Sequence, residues 1–122
     1  MDSSRAPTIL VVEATADLRD AVVAGLVAAG YRALAAGTGD RALRLLEEDP
    51  AISLIFTDLL MPGLDGFKLV DMAKLKRPDI KVIYTTDSSQ LVGVTLGVAH
   101  GEILFKPYRM DELERLVRAA LG

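Results

Sequence analysis

Short runs of aliphatic and β-branched residues alternate along this chain with longer stretches whose apolar positions recur every three or four residues. The first pattern marks strands covered on both faces and the second marks helices with one buried stripe. Thr8-Ile9-Leu10-Val11-Val12 is the first such run, ending at Glu13. A helix should follow, N-capped at Thr15, with Asp17 in its first turn and an apolar stripe of Leu18, Val22 and Leu26 widened by Val23 and Val27. Gly30 ends it, and Tyr31 to Ala35 reads as a second strand. The loop Gly37-Thr38-Gly39-Asp40 opens a helix over Ala42, Leu45 and Leu46, closed by Pro50.

Ala51 to Thr57 reads as a third, buried strand that stops at Asp58, where Pro62-Gly63 and Asp65-Gly66 make a loop. A helix from about Leu64 to Lys76 should bury Phe67, Val70 and Ala73. Lys81 to Thr86 is the fourth strand and Ile103-Leu104-Phe105 the fifth, cut off by Lys106-Pro107. Between them, Ser88 to Ala99 should form a helix of low propensity, weakened by Gly93 and Gly97, and is expected to be the most mobile one. A closing helix carries Leu113, Leu116, Val117 and Leu121 on one face. Five β-α units imply an α/β fold: a doubly wound five-stranded parallel sheet with helices on both faces. The strand order 2-1-3-4-5 puts strands 1 and 3 side by side at the switch point. Residues 1–7 read as a short polar lead-in and 8–122 as one domain.

Composition narrows the chemistry. A chain of 122 residues, half of them apolar, builds one core but contains no apolar run long enough to span a bilayer. The polar start lacks a signal-peptide core, so a cytoplasmic location is expected, with no membrane partner. With no cysteine there is no disulfide, thiol nucleophile or cysteine zinc site. A net charge of −3 and the absence of tryptophan argue against a direct nucleic-acid surface.

The expected topology brings Glu13, Asp58, Thr86 and Lys106 to one rim, at the carboxyl ends of strands. Each alone is an ordinary strand end. Together they make a site: two acids suit a hard cation such as Mg²⁺, a lysine and a hydroxyl suit a phosphoryl group, and a carboxylate can itself become an acyl phosphate. Enzymes on the same architecture fit less well. No glycine-rich nucleotide loop follows strand 1, the acidic first loop does not suit a flavin, and an aspartate phosphatase would need an acid where Leu60 stands. His100, in a turn, reads as a helix-end residue.

Four segments carry a family resemblance: Ile9-Leu10-Val11-Val12-Glu13, Thr57-Asp58-Leu59-Leu60-Met61-Pro62-Gly63-Leu64-Asp65-Gly66, Tyr84-Thr85-Thr86 and Phe105-Lys106-Pro107-Tyr108. Together they resemble the receiver domain of two-component response regulators, over nearly the whole chain, in a style similar to receivers of hybrid sensor kinases. The resemblance implies a flavodoxin-like (βα)5 receiver fold and a phosphorelay signalling role rather than enzymatic turnover. Asp58 would accept a phosphoryl group from a sensor histidine kinase or a histidine phosphotransfer domain. Mg²⁺ would be held by Glu13, Asp58 and the backbone carbonyl of Leu60. Lys106 would supply fixed positive charge, Thr86 would bond a phosphoryl oxygen and switch the surface of helix 4, strand 5 and helix 5, and Pro107 would occupy a cis-proline site. No output domain is expected within these residues.

Three positions depart from that pattern. Ala14 stands where receivers carry a second acid, the one that normally ligates the metal directly; weak Mg²⁺ binding is expected unless Glu13 reaches the ion itself. Asp87 follows the hydroxyl where a small residue is usual, and would either repel a phosphoryl group or cap the next helix with Ser88. Ile103 replaces a switch aromatic, leaving Tyr84 and Tyr108, both expected at the surface, as the nearby rings. Two readings follow: a working receiver with weak metal binding, or a degenerate pseudo-receiver that binds protein partners independently of phosphorylation.

Overall fold

The computed structural model describes residues 7–87 and 101–122. Within them β1 (Thr8–Val12), α1 (Ala16–Ala28), β2 (Arg32–Ala36), α2 (Gly39–Glu48), β3 (Ile52–Asp58), α3 (Gly66–Lys76), β4 (Lys81–Thr86), β5 (Gly101–Phe105) and α4 (Met110–Leu121) follow one another in the chain. The five strands form one sheet in the order β2-β1-β3-β4-β5, every pairing parallel. The expected topology is therefore the observed one. The expected helix over 88–99, its mobility and His100 lie outside the described residues.

β1 shows why the sheet must be covered twice. All five of its residues are buried, and alternate side chains go to opposite faces. Leu10 and Val12 join Ala42 and Leu46 of α2 and Leu69 and Ala73 of α3 on one side. Ile9 and Val11 join Val22 and Leu26 of α1 and Leu113 and Val117 of α4 on the other. β3 alternates in the same way, with Ile55 facing α2 and α3 and Leu54 and Phe56 facing α1 and α4. A strand with no polar face is stable only between two helical layers.

Local signals set most helix ends. Thr38 N-caps α2 by accepting the Arg41 N–H at 3.1 Å, and Asp65 N-caps α3 by accepting the Lys68 N–H at 2.9 Å. Thr15 occupies the N-cap position of α1, but its side chain makes no capping bond. Val27, expected on the buried stripe, is 54% exposed, and the buried residues of α1 are Val22 and Leu26. Tyr84 differs most from expectation. It is fully buried among Leu59, Val70 and Val82, tilted against the Phe67 ring, and register-paired with Ile103.

Candidate phosphoacceptor site at the carboxyl rim of the sheet

Strand register alone brings the site together. Val12 pairs with Thr57, so the next residues, Glu13 and Asp58, leave the sheet side by side. Asp58 pairs with Thr85, which places Thr86 one step beyond it. Thr86 pairs with Phe105, which places Lys106 beyond that, and Lys106 N–H donates to the Thr86 carbonyl at 2.9 Å. Glu13, Asp58 and Thr86 are all buried. With Ala14, Thr15, Leu60, Asp87 and Lys106 they line a cavity of about 160 Å³, open to solvent.

The loop after Asp58 returns sharply. Gly63 adopts φ +77°, in the left-handed region, and Gly66 N–H donates to the Leu59 carbonyl at 2.9 Å. A Cβ on Gly66 would lie 2.1 Å from the Asp58 carbonyl oxygen, so only glycine allows α3 to start so close to the strand end. The loop leaves Leu60 57% exposed at the cavity rim. The Lys106-Pro107 peptide is cis.

Lys106 joins the two acids. Its Nζ lies 2.8 Å from Glu13 Oε1 and 2.8 Å from Asp58 Oδ1. Glu13 Oε2 accepts the Thr15 N–H at 3.0 Å, and the Glu13 carbonyl accepts Arg19 Nη1 at 2.8 Å. Burial raises the Asp58 carboxyl to about 6; the Glu13 carboxylate beside it pushes the same way, and Lys106 opposes both. Burial also works to raise Glu13, but hydrogen bonds from Asp58, Lys106 and Thr15 outweigh it and hold Glu13 below the ordinary range. Lys106 is raised: its two carboxylate partners outweigh the cost of burying its charge. Two buried acids sharing one cation keep unequal hold on their protons, and Asp58 is the weaker acid.

Every residue singled out at this rim is brought into one cavity, including Ala14 and Asp87. Asp17 is exposed on α1 and takes no part in lining it. Among the described residues no third acid joins Glu13 and Asp58 in a metal-binding group. The donor set nonetheless fits a hard divalent cation that keeps most of its waters: two carboxylates in a small, solvent-open cavity that Leu60 also lines. Arg19 was not anticipated. Its only sequence signal is a position in the first turns of α1, from which a long side chain can reach back to the strand end.

A family model described as the response regulator receiver domain matches residues 9–118. The transcriptional regulatory protein YrkP of Bacillus subtilis is 32% identical over 115 residues, a stretch covering 93% of this chain and 48% of YrkP. The response regulator receiver protein CpdR of Brucella abortus is 31% identical over 118 residues, covering 92% of this chain and 98% of CpdR. The chain thus spans about half of the first relative and nearly all of the second. Among solved structures, the response regulator TrrA of Thermotoga maritima, in complex with Mg²⁺-BeF, superposes with a TM-score of 0.84 at 27% identity, over 93% of this chain and 98% of TrrA.

Proposed function

The chain belongs to the response regulator receiver domain family, and on that premise we propose that Asp58 accepts a phosphoryl group from a phosphohistidine of a sensor histidine kinase or a histidine phosphotransfer domain in the cytoplasm. The observation that carries this reading is the pair of 2.8 Å contacts from Lys106 Nζ to Asp58 and Glu13 at the carboxyl rim. One ionised Asp58 oxygen attacks phosphorus as the P–N bond of the phosphohistidine breaks. The bonding pair returns to the imidazole nitrogen, which leaves and takes a proton from solvent. The product is an acyl phosphate on Asp58.

The chain's own part is positioning and charge. Strand register holds Asp58 at the rim, and Lys106 places a cation where phosphoryl oxygens gather charge. Thr86, buried at the end of β4 on the same cavity, accommodates a phosphoryl oxygen. Because Lys106 N–H is bonded to the Thr86 carbonyl, movement there passes to β5 and α4 and biases their outer surface between two arrangements. Glu13, Asp58 and the Leu60 carbonyl are the groups that would hold Mg²⁺, which when bound neutralises phosphoryl oxygens. Ala14 contributes nothing, and the Lys106 ammonium already occupies Glu13 Oε1, so affinity for the ion is low.

Intact mass after incubation with Mg²⁺ and a small phosphodonor tests the reading. A phosphoryl adduct on the parent, absent from Asp58→Asn, is the expected result, and Ala14→Asp should reach the same occupancy at about tenfold lower Mg²⁺. No adduct on the parent but one on Ala14→Asp would favour the pseudo-receiver reading, in which this surface binds protein partners without phosphorylation. Ala14 favours that second reading, and among the described residues no third acid joins Glu13 and Asp58 in a metal-binding group.

A further inference from the structure

Glu13 is held both at its backbone and at its carboxylate. Its N–H donates to the Ala36 carbonyl at the end of β2 at 3.1 Å, and its two carboxylate oxygens go to Thr15 N–H and Lys106 Nζ. A further partner is the Arg19 guanidinium, which turns back along α1 to reach the Glu13 carbonyl at 2.8 Å. This contact does not belong to the helix. The Arg19 N–H already makes the ordinary helical bond to the Thr15 carbonyl at 2.9 Å, so the guanidinium adds a second tie from the same residue to the same turn. The guanidinium also lies against the β2–α2 turn, where a Cβ on Gly37 would stand 3.0 Å from Arg19 Nη1. Arg19 therefore fills the space between the two loops that border the acid.

From these contacts we infer that Arg19 is a positioning residue for Glu13, setting the backbone from which the only acid of the β1–α1 loop enters the cavity. The inference rests on the reading of Glu13 as an acid that serves the phosphoacceptor site. With alanine at 14, one glutamate does alone what a pair would share. Its side chain has one more rotatable bond than an aspartate's, so it loses more freedom when held in one direction. A ligand with that freedom binds a cation well only if surrounding groups fix it. The carbonyl clamp from Arg19 and the carboxylate bond from the Thr15 amide act on the same turn and restrict both ends of Glu13 at once.

Charge and positioning predict opposite signs. A positive group near a cation site repels the cation, so an Arg19 that acted only through charge would weaken Mg²⁺ binding, and its removal would tighten it. An Arg19 that positions Glu13 gives the reverse. The full chain, Arg19→Met and Arg19→Lys are compared by Mg²⁺ titration, by the chemical shift and hydrogen exchange of the Thr15 amide, and by thermal unfolding. The expected result is that Arg19→Met weakens Mg²⁺ binding about tenfold and exposes the Thr15 amide to faster exchange, while Arg19→Lys recovers most of both. Unchanged or tighter Mg²⁺ binding with an unmoved Thr15 amide overturns the inference. Should Arg19→Met fail to fold, Gly37→Ala, which presses on the guanidinium from the neighbouring loop, gives the same two readouts. If the parent itself binds no Mg²⁺ at millimolar concentration, the metal reading of Glu13 fails. The Thr15 amide then decides the positioning alone, a response in Arg19→Met sustaining it and none overturning it.

Discussion

Burial favours the protonated form of Asp58, whereas the proposed phosphoryl transfer needs the charged one. Burial is the largest influence on its carboxyl, raising it from 3.8 to about 6 in the absence of a divalent cation. The folded chain therefore binds more protons than the unfolded chain between about pH 4 and pH 6, and stability contributed through this group falls as pH rises across that window. Glu13 has the opposite sign, being held below its ordinary value, and its contribution is lost as pH falls. Asp58→Asn removes the first effect and resembles the protonated acid in shape. In chelator-treated protein at pH 7.5, the variant should be more stable than the parent by about 1–3 kcal/mol. The gain should shrink towards zero by pH 4, and urea unfolding at the two pH values checks it. A variant less stable at both would mean that the Lys106 ion pair, not burial, dominates.

At the scale of elements, the site depends on how closely α3 begins after β3. Gly66→Ala drives a Cβ into the Asp58 carbonyl, a backbone atom that cannot swing away as a side chain would. We expect a loss of about 2–3 kcal/mol in denaturant unfolding, together with shifted amide signals at Asp58 and Leu59. Thr38→Ala makes a useful contrast, since it removes the α2 cap bond to Arg41 N–H far from the acids. It should cost about 1 kcal/mol and leave phosphorylation unchanged. Arg77 shows a third kind of element contact. Its guanidinium donates to the carbonyls of Leu46, Asp49 and Ile52, closing the turn between α2 and β3 from the end of α3. Nothing in the local sequence around Arg77 announces those partners, because all three lie 25 or more residues earlier in the chain.

For the molecule as a whole, the sheet divides the apolar interior into two layers that share its strands. Leu69 of α3 and Leu113 of α4 are fully buried on opposite faces. Each truncation to alanine should cost about 2–5 kcal/mol. Because both layers rest on β1 and β3, each should shift one common unfolding transition rather than release its own half, with fluorescence and circular dichroism midpoints coinciding. Separate transitions would show that the two faces are energetically independent. The same sharing of strands joins Thr86 to the end of β5, where Lys106 N–H donates to its carbonyl, so a change at the proposed phosphoacceptor would reach the outer edge of the sheet through few bonds.

The alternation of apolar runs and amphipathic stretches determined the five strands and the described helices, because period and strand burial are local properties that tertiary packing merely completes. The strand order followed from placing strands 1 and 3 together at the switch point. The rim residues Glu13, Asp58, Thr86 and Lys106 were legible for the same reason: each ends a strand, and strand ends converge on one side of a parallel sheet. Other features depend on partners distant in the chain. Tyr84 looked like a surface ring, yet Leu59, Val70 and Val82 enclose it, and Val27 looked buried, yet it faces solvent. The Thr15 hydroxyl suggested a cap, yet it is the Thr15 amide that is used, on Glu13. Arg19 and Lys106 became partners of one glutamate only once folding had brought α1 and the end of β5 against β1. Spacing along a chain specifies which face a residue occupies, but the direction of a long charged side chain is set by whichever carboxylate or carbonyl the finished packing leaves within reach.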